Sequence, residues 1–218
     1  ELLLKNVDTY RRGVSAFSTL GWFNDPIYSS MLNYNDEDLV NTIIHETVHA
    51  TIYIPSSADF NERLASFLGN QGTLEFYRQK EGPHSLTVLK IIDNNHDEAL
   101  FAKFISEELV NLEAWYPTIS VQDESIRQKR FQEIQSRFEN NIRPQMQSPH
   151  FLNFSKTPLN NARLLALKTY MMDQADFEIV FQKLNGNFSL FLEKMKLLKN
   201  EKKPEEVLKK WALGTSNF

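Results

Sequence analysis

The chain has 218 residues with 24 Lys and Arg against 28 Asp and Glu, a formal net charge of -4, which speaks against a nucleic-acid binder working through a general basic surface. Hydrophobic residues make up 41%, a globular composition, and no stretch reaches the roughly 18 apolar residues that would span a bilayer. Cys is absent, which removes disulfides, thiolate nucleophiles and Cys-ligated zinc together.

The chain opens on Glu1 without Met, and the apolar run Leu2–Leu4 is too short for a signal peptide. The sequence therefore reads as a processed form or a part of something longer. Residues 7–20 are rich in β-branched and aromatic side chains with partial alternation, which predicts a strand or hairpin. The segment Gly21 to Pro26, with Asn24-Asp25-Pro26, predicts a turn.

A helix is predicted from an N-cap at Asn35 or Asp36 to about Ile54, where Pro55 and two serines stop it. A second opens at Asp59 and runs through Leu68, or to Arg78 if Gly69 and Gly72 are tolerated. Ala65, Gly69 and Gly72 form a small-residue stripe that admits a close neighbour; a plain break at Gly69 is the alternative. From Ser85 onward the pattern is helical. Leu100, Phe104, Leu109, Leu112 and Trp115 mark one stripe, and Ile126, Phe131, Ile134 and Phe138 mark the next, together an antiparallel hairpin. Thr157-Pro158 has the form of an N-cap with proline at the first helical position, opening a helix from Leu159 to about Met172. Shorter helices follow around 176–185 and 188–199, and a last one opens at Pro204. The expected class is α+β, mostly α. Residues 1–82 would form a metal-binding core with an N-terminal β element, and residues 83–218 a helical bundle packed on it.

The chemistry sits at His45-Glu46-Thr47-Val48-His49, an H-E-x-x-H pattern. Residues i and i+4 lie one above the other on a helix, so both imidazoles can reach one ion. Two neutral imidazoles suit Zn²⁺. Glu46, beside them, can act as general base toward water. Asp38, Asn41, Thr42, His45, Glu46, His49 and Tyr53 share one arc, and the remaining arc is apolar, which predicts a helix buried on most sides. A catalytic zinc usually takes a third protein ligand. Pro55 occupies the position where a third His would follow, and Glu62, 13 residues beyond His49, is the best candidate. If the two helices return on each other through a short turn, Glu62 reaches the histidine face. Asp59 and Glu62 also match an Asp variant of the capping box, in which Glu62 would bond the cap amide instead.

The segments GVSAFSTLGWFNDPIYSSML (13–32), HETVH (45–49) and FNERLASF (60–67), with LNNARL (159–164) and Thr169-Tyr170, resemble the bacterial putative aminopeptidase family, a group of zinc-dependent gluzincin-type peptidases. The resemblance covers nearly the whole chain. Asn61-Glu62 with Ala65 is similar to the Asn-Glu-x-x-Ala pattern of the aminopeptidase N family, at a shorter gap from the second histidine. The resemblance implies His45, His49 and Glu62 on zinc and Glu46 as general base, acting on a peptide substrate. Gluzincin-type peptidases commonly use a Tyr or His as donor to the developing oxyanion. Tyr170, on the helix after Asn160-Asn161, is the first candidate and Tyr53, one turn past His49, the second, with core or rim packing as the alternative for each. The resemblance further implies an upstream lipoprotein-type segment in full-length members, and with it the bacterial cell envelope.

Asp25 is the candidate for holding a substrate amine, and residues 13–20 for pairing with an extended substrate. His84, His96 and His150 read as surface residues. The competing readings are a zinc endopeptidase or amidase, and a non-catalytic binding module with a structural or vestigial metal. Glu46 separates catalysis from the last of these, because a structural site has no use for a carboxylate that is not a ligand.

Overall fold

The computed structural model describes residues 7–11, 29–119, 124–170 and 173–216, and all regular structure among them is helical. The α+β expectation is thereby corrected to all-α. Residues 7–11 of the predicted β element are irregular, and residues 12–20 lie outside the described residues, as does the turn at 21–26. What ties residues 7–11 down is a set of polar bonds. Asp8 accepts from the Asn161 backbone N–H, and the Thr9 carbonyl accepts from Asn160 Nδ2.

The helices are α1 (Asp36–Thr51), α2 (Ala58–Glu81), α3 (Leu86–Trp115), α4 (Glu124–Arg137), α5 (Asn161–Tyr170), α6 (Ala175–Lys183), α7 (Phe188–Leu197) and α8 (Pro204–Leu213). None among the described residues is long and apolar enough to cross a membrane.

The chain forms two compact units, and each is made of two separate stretches. One combines Glu1–Arg12 with Ile92–Asp173; the other combines Gly13–Ile91 with Gln174–Phe218. The linear division at residue 82 thus gives way to an interleaved one, because the C-terminal helices return to the first two.

In the unit of residues 92–173, Phe101, Phe104, Ile105 and Leu112 of α3 pack with Phe131, Ile134 and Phe138, and with Phe154, Leu159 and Leu164. Arg137 grips the buried Glu108 through two hydrogen bonds, and Arg130 lies over the Trp115 ring. Late α3 residues therefore meet early α4 residues, the predicted antiparallel hairpin. Asp97, fully buried, accepts from the backbone N–H groups of Gln147 and Ser148 and from Ser148 Oγ, which pins the loop after α4. The expected start of α5 at Thr157-Pro158 moves to Asn160, whose side chain caps the Arg163 N–H at 2.8 Å. Asn is among the strongest cap formers, and here it stands two residues past the proline.

In the other unit, Asn35 caps α1 as expected, its side chain accepting from the Asp38 N–H at 2.8 Å. Helix α1 ends at Thr51, three residues before the expected stop, and Ile52 is already extended. Ile52 and Ile54 are buried while Tyr53 between them is 38% exposed, the alternation of an extended segment. Helix α1 is also less enclosed than its apolar arc predicts: Ile43, Thr47 and Ala50 are exposed, and Val48 and His49 are its buried residues.

Helix α2 runs unbroken past both glycines. A Cβ on Gly69 would stand 3.1 Å from Asn41 Oδ1, and one on Gly72 would stand 3.0 Å from Ile44 Cδ1. The small-residue stripe is therefore the contact line between α1 and α2, and Asn41 donates to Asn70 Oδ1 across it at 2.7 Å. Asn41 meets residues 69 and 70 while His49 meets residue 62, so the two helices run antiparallel. The core beneath them joins Val48, Ile52, Ile54, Phe60, Leu64, Phe67 and Leu68 to Phe177, Val180, Phe181, Phe191, Met195, Leu208 and Trp211 from α6, α7 and α8. Rings of Phe67, Phe177, Phe181 and Phe191 meet edge-on, tilted or stacked at 5.3–6.4 Å.

The α1–α2 loop carries Ser56 in the left-handed region, φ 61°. It is closed by Asn61, whose Oδ1 accepts from the Ile54 N–H at 3.0 Å and whose Nδ2 donates to the Ile54 carbonyl at 2.8 Å.

Candidate metal centre

His45 and His49 lie one turn apart on α1, and their ring centroids are 4.8 Å apart with planes at 81°. Both rings turn the same atom inward: the two Nε2 atoms are 3.2 Å apart. Glu62, in the second turn of α2, reaches across with Oε2 3.5 Å from His45 Nε2 and Oε1 3.4 Å from His49 Nε2. The three ligand atoms lie within 4.8 Å of one another, and no other group of three or more metal-ligating side chains converges among the described residues.

These separations can be tested against a coordination sphere. With zinc–ligand bonds of about 2.0–2.2 Å, the edges of a tetrahedron are about 3.3–3.6 Å long. The two Nε2 atoms, 3.2 Å apart, and the two Glu62 oxygens, one 3.5 Å from His45 and the other 3.4 Å from His49, lie close to that scale, so the donor set fits a divalent metal ion. The alternative in which Glu62 merely caps α2 fails on register. The N-cap is Ser57, so Asp59 already lies inside the first turn and no longer stands three residues from Glu62 as a cap.

Burial pushes the His49 imidazole below its ordinary pKa, the neighbouring His45 adds to this, and Glu62 opposes it. The neutral ring is the form that binds metal. His49 is 8% exposed, whereas His45 and Glu62 keep partial exposure, so the cluster is buried on the His49 side and reachable from the other. Glu46 is half-buried on α1, one residue after His45 and three before His49. It stands outside the three-ligand group.

Tyr53 lies beyond the end of α1 and is not on the histidine helix face. Tyr170 ends α5, in the unit of residues 92–173, and its side chain lies outside the described residues, as does Asp25. His84 and His96 are exposed as expected. His150 is half-buried with its ring edge-on to Phe151.

Two residues flanking Glu62 carry roles the sequence pattern did not reveal. Asn61 closes the loop as described above. Arg63, 7% exposed, pairs with Asp176 on α6 and Glu205 on α8 and lies 5.0 Å from the centre of the Phe177 ring. The one sequence signal for Arg63 is a lone cation in a segment whose Phe60, Leu64, Phe67 and Leu68 recur at helical spacing.

The family model described as Putative aminopeptidase matches residues 1–209. The chain belongs to the Putative aminopeptidase family. No match was found among curated proteins or among solved structures. Membership in the aminopeptidase family supports a peptidase, and with it a peptide substrate. The His45, His49 and Glu62 group lies within the stretch that the family model covers.

Proposed function

We propose that the protein is a zinc-dependent, gluzincin-type peptidase that removes N-terminal residues from peptides, with His45, His49 and Glu62 as metal ligands and Glu46 as general base. The observation that carries this reading is the convergence of the His45 and His49 Nε2 atoms and the Glu62 carboxylate, one ligand atom of each within 4.8 Å of the others. Zinc, when bound, would supply a Lewis acid that polarises the scissile carbonyl and lowers the pKa of water toward about 7.

The chain's own residues do the rest. His45 and His49 bind through Nε2 as neutral rings, and burial around His49 favours that form. Glu62 adds one negative charge, which offsets part of the cation's charge inside a half-buried site. The Glu46 carboxylate takes a proton from the attacking water and delivers it to the leaving amine. Helix geometry supports this role, because a residue one position past His45 flanks both ring positions.

The test uses Glu46→Gln and aminoacyl anilides with free or acetylated α-amines. The variant should keep zinc at wild-type stoichiometry and lose about 10²- to 10⁴-fold in kcat. Undiminished hydrolysis by Glu46→Gln would remove the general-base role. Cleavage of acetylated substrates alone would replace the aminopeptidase reading by an endopeptidase or amidase.

A further inference from the structure

The polar side chain closing the α1–α2 loop has no part in the chemistry proposed above. Asn61 is 2% exposed, and both ends of its carboxamide are used by the backbone of one residue, Ile54, which is itself 1% exposed. We infer that Asn61 is a positioning residue for the metal centre, fixing where Glu62 stands over His45 and His49. This inference rests on the reading of those three side chains as ligands.

Glu62 lies in the second turn of α2, close to a helix end whose first N–H groups lack partners in their own helix. A side-chain cap would ordinarily hold such an end, but Ser57 at the N-cap makes no side-chain hydrogen bond to it. Asn61 provides the missing constraint from inside the helix. Its acceptor takes the Ile54 N–H and its donor takes the Ile54 carbonyl, as a paired strand residue would. Ile54 lies three residues past the end of α1, and Asn61 is the residue before Glu62. One carboxamide thus locks the interval between the histidine helix and the third ligand. A slip of α2 by one residue breaks both bonds and leaves two backbone groups unpaired in a buried place.

The chemistry also says why the residue is Asn. Asp has the same size and can accept from the Ile54 N–H, but it sets a carboxylate oxygen against the Ile54 carbonyl where Nδ2 now donates. Ala does neither.

The test compares the wild-type chain with Asn61→Asp, Asn61→Ala and Leu208→Ala. Leu208 is fully buried in the same core and is not among the ligands. Zinc affinity is read by chelator competition, the coordination sphere by the visible spectrum of the cobalt-substituted protein, and stability by thermal melting without metal. The expected result is one zinc per wild-type chain, with about 10- to 100-fold weaker binding and an altered cobalt spectrum in both Asn61 variants. Leu208→Ala should melt earlier yet bind zinc as wild type does. If Asn61→Ala does not fold, the isosteric Asn61→Asp decides alone. Wild-type zinc affinity and an unchanged cobalt spectrum in Asn61→Asp overturn the inference. So does a loss of affinity in Leu208→Ala that matches the loss in the Asn61 variants. A wild-type chain that takes up no zinc fails earlier, at the ligand reading itself, and is recognised before any variant is compared.

Discussion

Replacing Arg63 by Met keeps the aliphatic stem and removes the guanidinium, leaving Asp176 and Glu205 facing a position that no longer compensates them. The two acceptors are unequal. The Asp176 side chain is 18% exposed and that of Glu205 is 44% exposed, so water recovers much of the second interaction and little of the first. A hydrogen bond to a charged group is worth about 1.5–3 kcal/mol, an exposed ion pair about 0.2–1, and the lost cation–π contact with Phe177 about 0.5–1. Both carboxylates lie in the first turn of their helices, where the helix dipole favours them, and Asp176 Oδ1 also accepts from the Phe177 N–H at 2.9 Å. These retained interactions keep the total at about 2–4 kcal/mol rather than above it. For a chain of this size that corresponds to a fall in Tm of roughly 5–15 °C. Urea denaturation followed by circular dichroism measures the difference. Adding 0.5 M salt should leave most of it in place, because the Asp176 pair is shielded from solvent. Arg63→Met with Asp176→Asn should recover part of the loss by removing the uncompensated charge. A variant within about 0.5 kcal/mol of wild type would refute the idea that Arg63 clamps α2 to α6 and α8.

Metal removal gives a second expectation: zinc at about a thousandfold excess over its Kd should stabilise the unit of α1 and α2 by about 4 kcal/mol, and a Tm indifferent to chelation would exclude a ligand set spanning both helices. Gly72→Ala gains about 1 kcal/mol in helix propensity but inserts a methyl 3.0 Å from Ile44 Cδ1, with overpacking of about 1–3 kcal/mol. Its Tm should fall by a few degrees, whereas a rise would mean that α1 and α2 have room between them. For Asp97, burial opposes ionisation but is outweighed by hydrogen bonds from Ser148, Gln147 and His96, so its carboxyl titrates below the usual range. The corresponding stability is present above the unfolded carboxylate pKa of about 3.9 and is lost as pH falls through the lower folded value. Hydrogen exchange at residues 146–150 should therefore accelerate below about pH 4, and Asp97→Asn should remove that acid step; an unchanged acid step in the variant would locate it elsewhere.

The convergence of His45, His49 and Glu62 was legible because its information is local. His45 and His49 are set by helical spacing, and Glu62 follows after one short turn, so the antiparallel return of α2 completes the group. The α1–α2 contact was half legible: the stripe of Ala65, Gly69 and Gly72 suits a close neighbour, but which helix fills it depends on Asn41 and Ile44, some thirty residues upstream. Over its described residues 7–11 the β element was misread, because β-branched and aromatic content reflects packing context more than backbone preference. The described part of that segment is held by Asn160 and Asn161, far along the chain. Tyr53 was placed on the histidine face by extending a helical period past Thr51, where the backbone turns extended. Asn61 and Arg63 escaped for one shared reason. Their partners are a main-chain group in a loop and two acids more than a hundred residues away, and neither leaves a periodic trace.

The return of α6, α7 and α8 onto the first two helices has a bearing on biosynthesis. Val48 and Phe60 share their interior with Phe191, Leu208 and Trp211, so the nascent pair of α1 and α2 lacks the rest of its core while the middle of the chain is still being made. The core beneath His45, His49 and Glu62 is consequently completed by Leu208 and Trp211, long after those three residues have been synthesised.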